Sequence, residues 1–447
     1  MFELLCLLTG VVLAAGAAYA FWMIRDAFHP AIATAPLFIY VYSVWPTLLN
    51  ANYGLEVYAS REALVYTATV YLITISAFVA GLVNFNSSAG NQIHSNNGVF
   101  NVQINKNAQK KIYQLAVFLG LIASAAYWYA IDNVGGFVAA YSRAKGGGYA
   151  GSGYIGEAQL LAYPALLMLA ISRRGIGRIS ASDVVLAFVI ISPHLLQGTF
   201  GGRRGPLFLT LCILFFSWFV ASGKKPKLRT MMIGIVTIAF TVALVWSQRQ
   251  NLYIGSDGNI DSGSFYSKII PDDVAVGNTY LFGVGLIQST DYHESYYWGF
   301  RYFVTFVIRP IPRQIWPTKY EDVGATWVMG IDEESKDAKF EEATGFLSPN
   351  GSAAPSIADA YVEVWWGVVV LFYLVGRGFS LTWSRHRAKG GVWTILYLVM
   401  LILSIYLATQ SFSAWAHRLM FIAIPTVVVW KIWIEPSPRN GHRILVQ

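Results

Sequence analysis

Charged residues are scarce in this 447-residue chain. Asp, Glu, Lys and Arg together make up 13% of it, whereas hydrophobic residues make up 55%. Soluble domains carry roughly 25% charged residues, so the composition excludes an ordinary soluble protein and favours one that crosses a membrane several times. The net charge is nevertheless +8. In a membrane protein this excess is typical of Lys and Arg in cytoplasmic loops, so we expect no nucleic-acid partner.

Cysteine is nearly absent, and no pattern of metal or nucleotide ligands stands out. Cys6 and Cys212 both lie in apolar runs, where we expect them to be buried as small hydrophobic side chains. The sequence has no His, Cys and Asp cluster with zinc spacing. The glycine-rich residues 145–151 do not lie between a strand and a helix, as a phosphate-binding loop would. We therefore expect no metal and no cofactor.

Long apolar runs are abundant. Roughly eleven are long enough to cross, or nearly cross, a hydrocarbon core about 30 Å thick. The sequence therefore predicts an all-α polytopic membrane protein, with about ten to fourteen spans as the range. Met1-Phe2-Glu3 lacks the basic residues of a cleavable signal, so the first run is expected to remain as a span. The runs are residues 2–24, 31–49, 63–83, 112–131, 157–172, 182–199, 205–222, 230–247, 357–376, 392–411 and 419–434.

The distribution of Lys and Arg orients these spans. Clusters of basic residues occupy short loops on one side, among them residues 173–178, 224–229 and 385–389. Such loops stay in the cytoplasm, which places the N-terminus outside and the C-terminal tail inside. The predicted domains are an N-terminal bundle of about eight spans, a long external loop, and C-terminal spans with a short tail. These domains cover residues 1–247, 248–356 and 357–447.

The external loop contains a segment rich in proline and cations, Arg309–Lys319. Its prolines exclude a helix interior or a central strand, and residues before proline prefer extended backbone. We therefore predict a polyproline-like rod that carries Arg309 and Arg313. The apolar residues 299–308 are too few to span and are typical of a re-entrant or interfacial helix. The segment suits a lipid-linked phosphate, although it could also be a surface anchor only.

Several cations are predicted on the outer side, against the bias that keeps positive charge inside. Charges placed against this bias usually have a partner or a task, and the guanidinium fork of arginine matches phosphate oxygens. The alternative is that these cations form salt bridges with acidic residues of the same loop. The set consists of Arg203, Arg204, Arg249, Arg301, Arg309, Arg313, Lys319, His417 and Arg418.

Two acidic residues lie near the start of the predicted span 357–376. Glu363 is about two turns into it, and Asp359 is one turn earlier. Glu363 either pairs with an arginine or takes part in chemistry, and the sequence leaves both open. His194, in the sixth predicted span, is expected to be a hydrogen-bonded core histidine.

Three motifs together resemble a known family. Residues 309–319 read Arg-Pro-Ile-Pro-Arg-Gln-Ile-Trp-Pro-Thr-Lys, and further on the chain has Ser-Ile-Ala-Asp-Ala-Tyr at 356–361 and then Trp366-Gly367. With Gly-Arg-Arg-Gly-Pro at 202–206, these motifs resemble the O-antigen (Wzy-type) polymerases of lipid-linked oligosaccharide repeat units. The layout of many spans with one long outer loop is shared over nearly the whole chain. Tyr320 stands where many members of that family have a second proline after the lysine.

The resemblance implies a GT-C-like integral glycosyltransferase at the outer face of a bacterial inner membrane. The donor would be a growing glycan on undecaprenyl pyrophosphate, and the acceptor one lipid-linked repeat unit. Membrane lipids, a chain-length regulator and a flippase would be further partners. Arginines would stabilise the pyrophosphate leaving group in place of a metal.

The resemblance also assigns roles to the candidate residues. Arg309 and Arg313 would be catalytic, and the general base would be Glu363, Asp359 or His417, among which the sequence does not choose. The pyrophosphate-binding candidates are Arg203, Arg204, Arg249, Arg301, Lys319 and Arg418.

Two other functions fit the same layout. A ligase of similar architecture would move the finished glycan onto a different acceptor. A flippase or transporter of charged lipids would also use internal cations and broken helices. A transporter should, however, show internal repeats, short outer loops and charges at mid-span. Here no repeat is visible and the charges gather at one face, which favours the enzyme.

The predicted orientation can be tested with single cysteines in a chain from which Cys6 and Cys212 have been removed. Because residue 225 lies in a basic loop and residue 337 in the acidic external loop, an impermeant thiol reagent applied to intact cells should label Asp337→Cys and leave Lys225→Cys unlabelled. Strong labelling at position 225 would overturn the orientation. Both variants should label after the membrane is opened, which is the control for reactivity.

Overall fold

The computed structural model describes residues 1–84, 106–142, 155, 157–174, 180–223, 228–248, 252–255, 278–311, 315–325, 340–345 and 353–434. Within these ranges the regular structure is entirely helical, without a strand. The predicted all-α class is therefore confirmed. Of the eleven predicted spans, ten fall on one helix each and one falls on two.

Nine helices within the described ranges are long and apolar enough to cross a membrane. We label them with the other helices in chain order as α1 (Phe2–Ile24), α2 (Pro30–Tyr53), α3 (Arg61–Val83), α4 (Lys106–Asp132), α5 (Gly136–Tyr141), α6 (Ala158–Ser172), α7 (Ala181–Thr199), α8 (Arg204–Ser222), α9 (Leu228–Ser247), α10 (Thr279–Tyr292), α11 (Phe300–Phe303), α12 (Lys319–Asp322), α13 (Ser356–Val364), α14 (Gly367–Lys389), α15 (Val392–Thr409) and α16 (Phe412–Trp433). The nine are α1 to α4, α7, α8 and α14 to α16, while α6 and the Arg229–Val245 part of α9 are shorter apolar helices.

The outer faces of these helices are apolar. On α1, Val11 is 61% exposed and Trp22 is 72% exposed, and on α4 Leu121 is 62% exposed. A soluble protein rarely shows contiguous apolar surface of this kind. Helices that are apolar outside as well as inside are those of a membrane protein, so the chain is polytopic in the membrane.

Residues Met1–Ser87, Pro271–Trp383 and Leu403–His417 form one compact unit. In this unit α1 packs against α2 and α3, and α10 packs against α13. Glycines allow the close approaches. A methyl group on Gly16 of α1 would lie 2.4 Å from Val79 of α3. Small residues at helix contacts are typical of packing in membranes, where backbones approach closely.

Residues Ser88–Ile270, Ser384–Ile402 and Arg418–Gln447 form a second unit. In this unit α6 lies against α4, α7 and α8. The ring of His194 is 1% exposed, stacks on Tyr163 and bonds through Nε2 to the carbonyl of Gln159 at 2.9 Å. The expectation of a hydrogen-bonded core histidine is confirmed.

The predicted span 357–376 needs a correction. It is broken at Trp365, whose backbone has φ 52° and ψ −138° and ends α13. The membrane helix begins only at Gly367 and continues to Lys389. Glu363 is therefore not two turns inside a span, but at the end of a separate nine-residue helix. Hydropathy alone missed the break because Val, Trp and Gly at this point leave the apolar run uninterrupted.

A close contact between the backbones of α3 and α14 in the first unit predicts a strong effect of one methyl group. A Cβ on Gly81 of α3 would lie 2.3 Å from the carbonyl oxygen of Tyr373, and one on Gly376 of α14 would lie 2.3 Å from that of Phe78. Backbone atoms cannot move aside cheaply, so Gly81→Ala should lower the free energy of unfolding by roughly 1–3 kcal/mol.

The matched control is Ala80→Val on the exposed face of the same helix, which adds more volume but meets no helix. Thermal unfolding in detergent measures both variants. Equal melting temperatures for the two would show that α3 and α14 are not in this close contact.

Candidate functional site

The candidate site is built on the short helix α13 and the segment before α11. Pro355 has φ −63° and ψ 143°, so the chain enters α13 from extended backbone. Two backbone bonds attach this helix to the preceding segment: Tyr297 N–H donates to the carbonyl of Val362 at 3.1 Å, and Gly299 N–H to that of Glu363 at 3.1 Å. These bonds hold α11 beside the acidic residues of α13. All of these residues belong to the first unit.

Arg301 forms an ion pair with both acidic residues of α13. Its Nη2 lies 2.9 Å from Asp359 Oδ1, and its Nε donates to Glu363 Oε1. Nη2 also donates to the carbonyl of Asp359 at 3.2 Å. The guanidinium packs on the ring of Tyr297, 4.8 Å from its centroid. These contacts use Nε and Nη2 of the guanidinium.

The two carboxylates keep Arg301 charged. Burial lowers the pKa of this guanidinium, but the carboxylates of Asp359 and Glu363 outweigh burial, and the net pKa is raised. The pKa of Glu363 is also raised, because burial disfavours its carboxylate more than Arg301 stabilises it. Both groups lie outside the nine candidate spans.

The carboxylate of Asp359 makes several hydrogen bonds that stabilise the local structure. Besides Arg301, its carboxylate accepts from the Tyr302 hydroxyl at 3.1 Å and from the backbone N–H of Ser413 at 3.2 Å. Ser413 lies in the first turn of α16, so Asp359 satisfies a donor that the start of this helix leaves open. The carboxylate is thereby committed to holding α11, α13 and α16 together.

Glu363 differs from Asp359 in one respect. Its side chain is buried, and Oε2 has no hydrogen-bond partner among the described residues. A buried oxygen without a partner is unfavourable by about 1–3 kcal/mol, and a catalytic role is one of the explanations for such an atom. The two acids thus have different environments, and the orphan oxygen makes Glu363 the better candidate for proton transfer.

A second polar cluster, which the sequence analysis missed, surrounds Asp291 at the end of α10. Its carboxylate accepts from the Tyr361 hydroxyl at 3.0 Å and 3.2 Å and from that of Tyr296. Tyr66 of α3 bonds to the Tyr361 hydroxyl at 2.8 Å. Asp291 lies in no motif, so only the contact between α10 and α13 reveals it. The signal that could have found it is the tyrosine of the Ser-Ile-Ala-Asp-Ala-Tyr motif, whose hydroxyl needs a partner.

The exposed aromatic residues of this region have strained backbones. Trp298 and Trp365 have φ angles of 51° and 52°, in the region that favours glycine. Such conformations cost about 1–3 kcal/mol each and persist where the surrounding structure holds them. Here the bonds from Tyr297 and Gly299 to α13 hold the first of them.

The predicted polyproline-like rod is wrong where the structure describes it. Arg309 has φ −55° and ψ −38°, which is helical, and it closes the π-helical turn Val304–Ile308. Ile311 N–H then donates to the carbonyl of Ile308 at 3.1 Å, in a tight turn. The physical reason is the end of that helical turn, whose carbonyls need donors and fold the chain back. Residues 299–308 are predicted to form a re-entrant or interfacial helix. They are helical, and they consist of α11 and the turn Val304–Ile308.

Lys319 provides those donors. Its side chain is 3% exposed, and its ammonium donates to the carbonyls of Ile308 at 3.1 Å, Arg309 at 3.0 Å and Ile311. An ammonium has three donors, so all of them are used in stabilising the turn. In this structure the ammonium stabilises the turn, and the phosphate-binding role of Lys319 stays a prediction.

The other predicted site residues belong to both units. Arg309 is exposed at the turn that Lys319 closes. His417 is buried in α16, in the first unit. Arg203 and Arg204 stand at the start of α8 in the second unit, to which Arg418 also belongs. Arg249 and Arg313 lie outside the described residues.

Metal ligands are not grouped in the part of the chain that the structure describes: no three His, Cys, Asp or Glu side chains there could hold an ion together. Comparison of the chain with models of protein families, with curated proteins and with solved structures finds no match in any of the three. No matching protein therefore assigns a role to the residues of the site.

Removal of Arg301 should destabilise the protein strongly, because two buried carboxylates would lose their cation. We expect Arg301→Gln to lower the free energy of unfolding by roughly 3–5 kcal/mol. Adding Glu363→Gln to this variant should restore part of the lost free energy of unfolding, because one of the unpaired charges is then removed. The measurement is thermal unfolding of the single and double variants in detergent.

The control is Arg61→Gln. Arg61 lies 3.8 Å from Glu56, and both side chains are more than half exposed. Exposed pairs contribute about 0–1 kcal/mol, so this variant should melt close to the wild type. If Arg301→Gln does the same, the ion pair does not hold this region together.

Proposed function

We propose that the chain is a membrane glycosyltransferase that polymerises oligosaccharide repeat units carried on a lipid pyrophosphate. The observation that carries this proposal is the ion pair of Arg301 with Asp359 and Glu363, in which one oxygen of Glu363 has no partner among the described residues. It lies on the helix whose sequence resembles the Wzy-type polymerases. An acid–base group beside an arginine is the pair of functions that such a transfer requires.

The reaction is a displacement at the anomeric carbon of the donor. A hydroxyl oxygen of the acceptor forms the new bond to that carbon, and the bond from the carbon to the pyrophosphate oxygen breaks with its electron pair. The hydroxyl proton passes to Oε2 of Glu363. The departing pyrophosphate takes hydrogen bonds from arginine: Arg301 is the arginine beside Glu363, and Arg309 is the exposed one to which the resemblance assigns this role.

Glu363 is the base in this scheme, in preference to Asp359 and His417. The Asp359 carboxylate already accepts from Arg301, Tyr302 and Ser413, and a proton there would weaken all three bonds. Glu363 has one oxygen to spare, and its raised pKa makes its carboxylate a stronger base. Its side chain is 0% exposed, so the proposal requires a local opening that brings the acceptor hydroxyl to Oε2.

The remaining features of the proposal follow from the resemblance and from the charge distribution. The protein acts at the external face of a bacterial inner membrane, with the N-terminus outside and the tail in the cytoplasm. The fold is GT-C-like. The lipid-linked donor and acceptor lie among membrane lipids, and a flippase and a chain-length regulator work with the enzyme.

A ligase is the second candidate, because the same site could serve a different acceptor. A flippase is disfavoured by the position of the cluster: Arg301, Asp359 and Glu363 lie outside the candidate spans, whereas a transporter places its binding site near the middle of the membrane.

The reaction can be tested with purified protein in detergent. Given lipid-linked repeat units, EDTA and no nucleotide, the wild type should produce a ladder of longer lipid-linked glycans on a gel. Glu363→Gln keeps the shape but loses the base, and should slow the ladder by about 10²–10⁴-fold. Arg309→Ala should slow it by about 10²–10³-fold, because it removes one donor to the leaving group.

The matched control is Glu62→Gln, which changes an exposed carboxylate at the start of α3 and should leave the ladder unchanged. A single unextended band with well-folded wild type would reject the polymerase. Extension only after a second kind of acceptor is added would indicate the ligase. Transfer of unaltered substrate across a vesicle wall would indicate the flippase.

A further inference from the structure

We infer that the surface around Tyr296 is a sugar-binding platform, on which Trp298 and Trp365 stack against a pyranose ring while Asp291 accepts its hydroxyl groups. This inference deepens the proposed function, and it rests on that function for the identity of the glycan. No part of the transfer chemistry above uses Asp291 or the two tryptophans as ligand contacts.

The first observation is the backbone strain of two exposed indoles. Within the described residues, four non-glycine residues have positive φ: Arg25, Glu294, Trp298 and Trp365. The two tryptophans are 70% and 46% exposed. Their rings lie 5.7 Å and 6.2 Å from the ring of Tyr296. Strain that is maintained to present two large aromatic side chains on one tyrosine is typical of a functional surface.

The second observation is the acceptor beside these rings. Asp291 is half-buried, and it accepts from Tyr296 and Tyr361. A carboxylate has about four acceptor sites, so capacity remains for a ligand hydroxyl. Tyr361 and Tyr296 orient the carboxylate through their own hydroxyls. A pyranose has an apolar C–H face and a rim of hydroxyl donors, and this combination of aromatic rings and a fixed acceptor matches both.

The third observation is the position of the platform along the chain. Trp298 stands between Tyr297 and Gly299, whose N–H groups bond to the carbonyls of Val362 and Glu363. Tyr361 stands between Asp359 and Glu363 in sequence and points its hydroxyl to Asp291. The platform and the transfer carboxylates therefore share α13, although Tyr361 projects from the side of the helix opposite to Asp359 and Glu363, since residues two apart lie about 200° apart around the axis.

The alternative for exposed tryptophans in a membrane protein is an aromatic belt that anchors the chain at the lipid interface. A belt needs apolar bulk at the right depth, but it has no use for a carboxylate oriented by two tyrosines. Substitution of the tryptophans by leucine distinguishes the two explanations, because leucine preserves apolar bulk but removes the aromatic face.

The test uses full-length protein in detergent and saturation-transfer NMR with methyl pyranosides of glucose, galactose, mannose and N-acetylglucosamine as probes. At least one of them should bind to the wild type. Trp298→Leu and Trp365→Leu should each weaken that binding about tenfold, as expected for the loss of one aromatic contact. Trp365→Phe should retain most of it. Asp291→Asn should weaken binding and reduce the discrimination among the probes.

The matched control is Trp22→Leu on α1, because Trp22 is 72% exposed but lies on a regular helix away from any polar cluster. It should bind the probes like the wild type. The inference is overturned if no pyranoside binds, or if the leucine variants bind like the wild type and change only the melting temperature in lipid. If the tryptophans prove necessary for sugar binding while the wild type makes no glycan ladder, the platform stands and the polymerase proposal fails.

Discussion

The ion pair of Arg301 with Asp359 and Glu363 is the interaction on which the described site depends. One guanidinium pairs with two acids that are both nearly inaccessible to water, and its removal would leave two buried carboxylates without a cation. Through Tyr302 and Ser413, the same network fixes α11 and the first turn of α16 to α13. The buried carboxylate of Asp359 thus positions the ends of these helices through its hydrogen bonds.

The same network separates the properties of two carboxylates. Asp359 has every oxygen occupied, whereas Glu363 has one oxygen with no partner among the described residues. Burial raises the pKa of Glu363. Two carboxylates on one helix thus have different environments, and this difference is the basis for proposing Glu363 as the base. Lys319 differs from Glu363, because the three donors of its ammonium all bind backbone carbonyls.

The backbone is strained at the end of α13. Trp365, with φ 52° and ψ −138°, separates α13 from α14. This break places Glu363 outside the membrane helix and exposes Trp365 beside Tyr296. Elsewhere in the same unit the packing is tight, with α3 and α14 in backbone contact at Gly81 and Gly376. The strained backbone at Trp365 thus lies in the same unit as the closely packed helices α3 and α14.

The amino-acid sequence by itself determined the class of protein, because apolar runs longer than the membrane is thick leave the chain few alternatives. It also identified Arg301, Asp359 and Glu363 as notable, since charges next to such runs are rare. Only the tertiary structure decided which charges meet. Arg301 and Glu363 are 62 residues apart, and Asp291 and Tyr361 are 70 apart. Contacts over such separations depend on how helices pack and where they break, and neither the hydropathy of a segment nor its motifs contain that geometry.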